Sequence, residues 1–82
     1  MNILSMTISI LLFGQLSDLA GADRLTMEGV VDTDQLAVQL QQSYPSLAHS
    51  TYVIAVDKNI ITGNTVLTHN STVALLPPFS GG

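Results

Sequence analysis

Two histidines, six carboxylates and a single lysine are the polar groups of this 82-residue chain that catalysis would ordinarily draw on. None is spaced for it. His49 and His69 stand alone in predicted loops, with no third ligand or carboxylate at metal spacing, and read as solvated side chains. Asp32 and Asp34 resemble an acid–base pair only until their place at a helix start is noticed, where capping and the helix dipole explain both. Asp18 and Asp23 flank a turn ended by Gly21 and are expected in solvent, and Lys58 follows a strand end as an exposed turn lysine. Gly14 and Gly21 are too far apart for a phosphate loop. Tyr44 and Tyr52 read as core-edge residues with their hydroxyls in water. No nucleophile, base and oxyanion site assembles, and no metal site is expected.

The chemistry therefore falls to the last residues, Ala74-Leu75-Leu76-Pro77-Pro78-Phe79-Ser80-Gly81-Gly82. Pro77 and Pro78 offer no N–H to a neighbouring strand, so sheet pairing stops there, and they favour an extended conformation that projects the tail from the body. Phe79 is then a large apolar group that wants a pocket on a partner. Ser80, Gly81 and Gly82 follow it, and the last two lack a Cβ, so they fit a channel that bulkier residues would block. The Gly82 carboxylate is the slimmest and farthest-reaching functional group of the chain. Activated by ATP, such a carboxylate becomes an acyl-adenylate that a sulfur or amine nucleophile can attack.

Elements must hold that tail in place. At 8.7 kDa the chain has room for one small domain. A hydrophobic share of 46 % argues for a folded core. With two basic against six acidic residues, net −4, a phosphate-binding surface is excluded and a basic protein partner is favoured. There is no cysteine, which removes disulfides, thiolate metal sites and cysteine nucleophiles and fits an expected cytoplasmic location. No Lys or Arg precedes Arg24, and Ser5, Thr7 and Ser9 interrupt the apolar start, so neither a signal peptide nor a membrane span is expected.

Alternation over residues 6–13 predicts a first strand, a helical turn follows at 15–20, and alternation at 24–27 predicts a second strand ended by Gly29. Asp32, with Gln35 three residues on, has the form of a capping box. Leu36, Leu40 and Tyr44 then recur on one face of a helix that Pro45 stops. Residues 52–56 form a solid apolar run, expected as a buried central strand. Asp57-Lys58-Asn59 turns the chain, short extended pieces lie at 60–61 and 65–67, His69-Asn70-Ser71 turns it again, and residues 72–76 make the last strand. This order predicts an α+β fold, a β-grasp (ubiquitin-like) roll with a mixed sheet packed on one main helix. Residues 1–76 form the domain and 77–82 an extended Gly-Gly tail.

The run from Ile10 to Gly21, the Ala55-Val56-Asp57 strand end and above all Val73 to Gly82 resemble the small subunit of molybdopterin synthase, a ubiquitin-like sulfur carrier. The resemblance spans the chain and is most specific in the tail. It implies that an adenylating enzyme of the ubiquitin-activating type spends ATP at Gly82 and that a sulfur donor protein converts the adenylate to a thiocarboxylate. It further implies that the tail enters a large subunit, where the sulfur builds the dithiolene of molybdopterin from cyclic pyranopterin monophosphate within a heterotetramer. The chain itself then needs no bound cofactor and is no enzyme alone. Two departures stand out. Ser17 replaces the usual Arg, and His69-Asn70-Ser71-Thr72 replaces Asp-Gly-Asp-Glu, which removes acidic charge from the expected contact with the activating enzyme. Rival readings are a thiamine-pathway sulfur carrier, a protein modifier joined to lysines through Gly82, and an interaction domain with an inert tail. The Pro-Pro-Phe-Ser spacer argues against the first. Protein adducts in extract would mark the second, and an unaffected deletion of Gly81 and Gly82 the third.

Overall fold

Alternation in the first strand becomes β1 (Thr7–Leu12) in the computed structural model, which describes residues 6–78. Ile8, Ile10 and Leu12 point to one face and are buried, while Thr7, Ser9 and Leu11 point to the other. A helical turn, α1 (Gln15–Ala20), follows and buries Leu16. Then β2 (Arg24–Glu28) returns antiparallel to β1, with Leu11 opposite Arg24 and Thr7 opposite Glu28.

The main helix α2 (Thr33–Ser43) starts where its cap is. The Asp32 carboxylate accepts from the Gln35 N–H at 2.9 Å, and the Gln35 side chain reaches back to accept from the Val31 N–H at 3.0 Å. In a reciprocal capping box that return bond goes to the capping residue itself, so here it lands one residue earlier. A second cap comes from far along the chain. The Asn64 side-chain oxygen accepts from the Asp34 N–H at 2.9 Å, and buried Thr33 exchanges bonds with the backbone of Thr65. Replacing Asp32 by Ala leaves the second cap alone, so the expected loss is about 1 kcal/mol. A thermal melt should show it as a midpoint lowered by about 4–8 °C.

Leu36 and Leu40 of α2 are fully buried against the inner sheet face, as the helical spacing requires, and Tyr44 is half-buried at its end. Pro45 does stop α2, but it also opens a short 3₁₀ helix, Pro45–His49, that buries Leu47. The sequence alone reads this stretch, with His49, as loop. Proline favours a first helical position because its missing N–H has no partner there to lose.

Three further strands complete the sheet: β3 (Val53–Val56), β4 (Asn59–Ile60) and β5 (Thr72–Leu76). Their order across it is β2-β1-β5-β3-β4, with β1 and β5 parallel and every other pair antiparallel. The apolar run at 52–56 is thus not the centre. β5 takes that place, and β3 lies between it and the two-residue β4. Of residues 65–67 only Val66 pairs, as an isolated bridge to Asp32. Asp57 and Lys58 alone make the β3–β4 turn, both with positive φ (48° and 74°), which is the type I′ hairpin geometry; Asn59 already belongs to β4. A mixed sheet crossed on one face by one helix, with buried residues from every layer joined in one core, is the β-grasp. No helix among the described residues is long and apolar enough to cross a membrane.

Candidate functional site

The face of the sheet turned away from α2 is graded from polar to apolar. Across the register, Arg24, Leu11, Ala74, Ala55 and Ile60 form one row over all five strands. One step toward the end of β5, the row is Phe13, Leu76 and Val53; one step the other way it is Thr26, Ser9 and Thr72. Asp57 closes that polar row, accepting from the Thr72 N–H at 2.9 Å through its carboxylate.

The two alanines are small and their neighbours are large, so the face is hollow. A concavity of about 520 Å³ has Ala55 and Ala74 as its floor, Leu11 and Phe13 on one side, Ile60 and Lys58 on the other, and Leu76 at its end. Phe13 is 45 % exposed and Ile60 64 % exposed. Large side chains held open to water around a concavity mark a surface that another molecule covers.

The tail leaves from the apolar end of this hollow. Phe13 donates its N–H to the Leu75 carbonyl at 3.2 Å, which carries the parallel β1–β5 pairing one residue past β1. Pro77 then lies against Gly14, where a Cβ would come within 2.9 Å of the proline ring. Gly14 has φ 58° and ψ −136°, a conformation that glycine alone adopts without strain. The root of the tail is therefore clamped, and its direction is set by the body. Of the expected site residues, Pro77 is half-buried in this clamp and Pro78 is exposed. Phe79, Ser80, Gly81 and Gly82 lie outside the described residues.

Several polar residues serve the fold. His69 is not merely solvated: its Nδ1 accepts from the Thr7 N–H at 3.1 Å and ties the start of β1 to the last turn. His49 is exposed in the last turn of the 3₁₀ helix, not in a loop. The Tyr52 hydroxyl accepts from the Gln41 side chain at 2.8 Å, so it is bonded to protein. Ser17 donates to the Gly14 carbonyl at 2.9 Å and closes the first turn of α1. Among the described residues no group of His and acidic side chains could hold a metal ion. The hollow and the Gly14–Pro77 clamp were missed from sequence. Their signal was present in the odd-numbered residues of β1 and in two alanines, but only strand pairing shows that these meet.

A mixed sheet crossed by one main helix in this strand order is the ubiquitin-like β-grasp, the fold of the solved structures it resembles. The chain belongs to the ThiS family, whose model matches residues 10–82. It is 32 % identical over 82 residues to the molybdopterin synthase sulfur carrier subunit of Arabidopsis thaliana, covering 95 % of this chain and 85 % of that one. It also resembles subunit 1 in the complex of subunits 1 and 2 of molybdopterin-converting factor from Helicobacter pylori 26695. There the TM-score is 0.74 at 25 % identity, over 94 % of this chain and 100 % of that one. The small archaeal modifier protein 1 of Methanosarcina acetivorans has the same fold, with a TM-score of 0.81 at 23 % identity over 94 % of this chain and 97 % of that one.

Proposed function

We propose that this chain is the sulfur-carrying subunit of a molybdopterin synthase. The Gly82 carboxylate attacks the α-phosphate of ATP on an adenylating enzyme and releases pyrophosphate. Hydrosulfide supplied by a sulfur donor protein then displaces AMP, the C–S bond forming as the C–O bond to AMP breaks, and the chain end becomes a thiocarboxylate. In the large subunit that sulfur passes to cyclic pyranopterin monophosphate, water restores the carboxylate, and a dithiolene requires two such deliveries. The catalytic side chains belong to the partners. What supports the reading most is the position of the tail root. A protein that covers the hollow meets Pro77 and Pro78 at the same time, so docking and entry of the tail are one event. Homology to molybdopterin synthase small subunits supplies the choice of pathway.

Reconstitution tests it. Chain bearing a Gly82 thiocarboxylate, mixed with a molybdopterin synthase large subunit and cyclic pyranopterin monophosphate, should yield molybdopterin and return unmodified chain. A large subunit that binds the loaded chain but leaves its sulfur in place contradicts the pathway. Isopeptide adducts on lysines of other proteins in extract would instead support the modifier reading.

The hollow gives a separate prediction. Ile60 contributes little to the core because it is largely exposed, so Ile60→Asp should leave the melting curve unchanged. A carboxylate buried without a partner in the docked state should weaken large-subunit binding at least tenfold, about 1.4 kcal/mol, by titration calorimetry.

A further inference from the structure

At the edge of the sheet opposite β4, β2 has one side paired to β1 and, among the described residues, one side open. The bonds that bracket the pair fix which side is which. Leu12 donates to the Asp23 carbonyl at 3.0 Å, and Gly29 donates to the Met6 carbonyl at 3.4 Å. Antiparallel pairing alternates bonded and non-bonded positions. Through the register, Asp23, Leu25, Met27 and Gly29 therefore face β1, while Arg24, Thr26 and Glu28 direct their N–H and C=O groups outward. All three are exposed.

Charged residues on an edge ordinarily discourage pairing with another chain. Here their placement does the reverse for one particular partner. Laid antiparallel against itself and centred on Thr26, the edge sets Arg24 opposite Glu28 of a second copy, Thr26 opposite Thr26, and Glu28 opposite Arg24. In that register every outward N–H meets an outward C=O. Arg24 and Glu28 also share the outer sheet face, so each guanidinium lies across from a carboxylate. On the inner face Leu25 meets Met27. A shift by two residues sets no Arg24 opposite a Glu28 and leaves two outward backbone groups of each strand unpaired.

We infer that two copies of this chain associate through their β2 edges, antiparallel about Thr26, into one continuous sheet. The contact is isologous, as a twofold pair requires. Its axis is perpendicular to the sheet, so both hollows lie on the same side and both tail roots stay clear. The paired strands are only five residues long. The contact is therefore small and the association weak and concentration-dependent.

Sedimentation of the full-length chain over a wide concentration range tests this. The mass should rise from 8.7 kDa toward twice that value as concentration increases. Thr26→Pro removes a backbone N–H that β1 does not use, which an edge strand tolerates. It should keep the fold, checked by circular dichroism, and weaken association at least tenfold. Should that variant fail to fold, two exposed substitutions replace it. R24E and E28R each set like charges against each other and should remain single, yet mixed in equal amounts they should pair. A chain that stays at 8.7 kDa at every concentration overturns the inference. So does a dimer that survives Thr26→Pro with the fold intact, or that the charge variants do not redirect; either would move the contact to another surface such as the hollow.

Discussion

A chain lacking Gly81 and Gly82 is expected to melt like the full chain and to accept no sulfur at all. Among the described residues the core draws on β1, β5 and the helices, and its last buried member is Leu75. Stability should therefore be unchanged within the few tenths of a kcal/mol typical of remote substitutions. The reacting carbon, however, retracts by up to roughly 7 Å, since a residue spans at most about 3.3–3.6 Å. Misplacement by about 1 Å already costs on the order of 100-fold in well-positioned reactions. The shortened chain also ends in a residue with a Cβ where the full chain has none. Loading by an adenylating enzyme with ATP and a sulfur donor should fall below detection, and molybdopterin formation with it. Binding to the large subunit should weaken less, because the hollow and Pro77 remain. A shortened chain that loads normally would show that the reactive group lies elsewhere.

Gly14→Ala carries the second large effect, this time on the body and the tail together. The residue holds φ 58° and ψ −136°, which costs a side-chain-bearing residue about 1–3 kcal/mol. Its new Cβ would also sit 2.9 Å from the Pro77 ring, an overlap that costs about a further 1–3 kcal/mol unless the proline moves. We expect a loss of about 2 kcal/mol or more, read as a melting midpoint lower by about 8–16 °C. The proline is the cheaper part to displace, so the root of the tail should shift and large-subunit affinity should drop in the chains that remain folded. Gly21→Ala is the control. Gly21 has φ 75° but nothing within 4 Å of its added Cβ, so it should show backbone strain alone and bind the large subunit normally. Equal losses of affinity in both variants would remove the clamp from the account.

Which features were legible in the sequence follows from how local their causes are. Asp32, Gln35 and the Leu36–Leu40 spacing act within a few residues of one another, and α2 begins and faces the core as they indicate. The alternation of β1 is equally local. The position of β5 at the centre of the sheet is not, because strand order is decided by pairing between distant segments. The same holds for Asn64 on the N-terminus of α2, for His69 on Thr7 and for Pro77 on Gly14: each is a contact between residues that the sequence places far apart. The hollow combines both difficulties. Leu11, Ala55, Ala74 and Ile60 are unremarkable one by one, and their shared row exists only once four strands are in register. The tail stood out for the opposite reason, since two prolines, an aromatic and two glycines in succession carry their meaning within one short stretch.

If Gly82 is the reactive end of a sulfur carrier, intact-mass spectrometry reads it directly. Full-length chain incubated with an adenylating enzyme, ATP and a sulfur donor should gain the mass difference of one oxygen replaced by one sulfur, and fragmentation should localise it to Gly82. An unshifted mass, under conditions where the same enzyme loads a control carrier, or a shift localised away from Gly82, would contradict it.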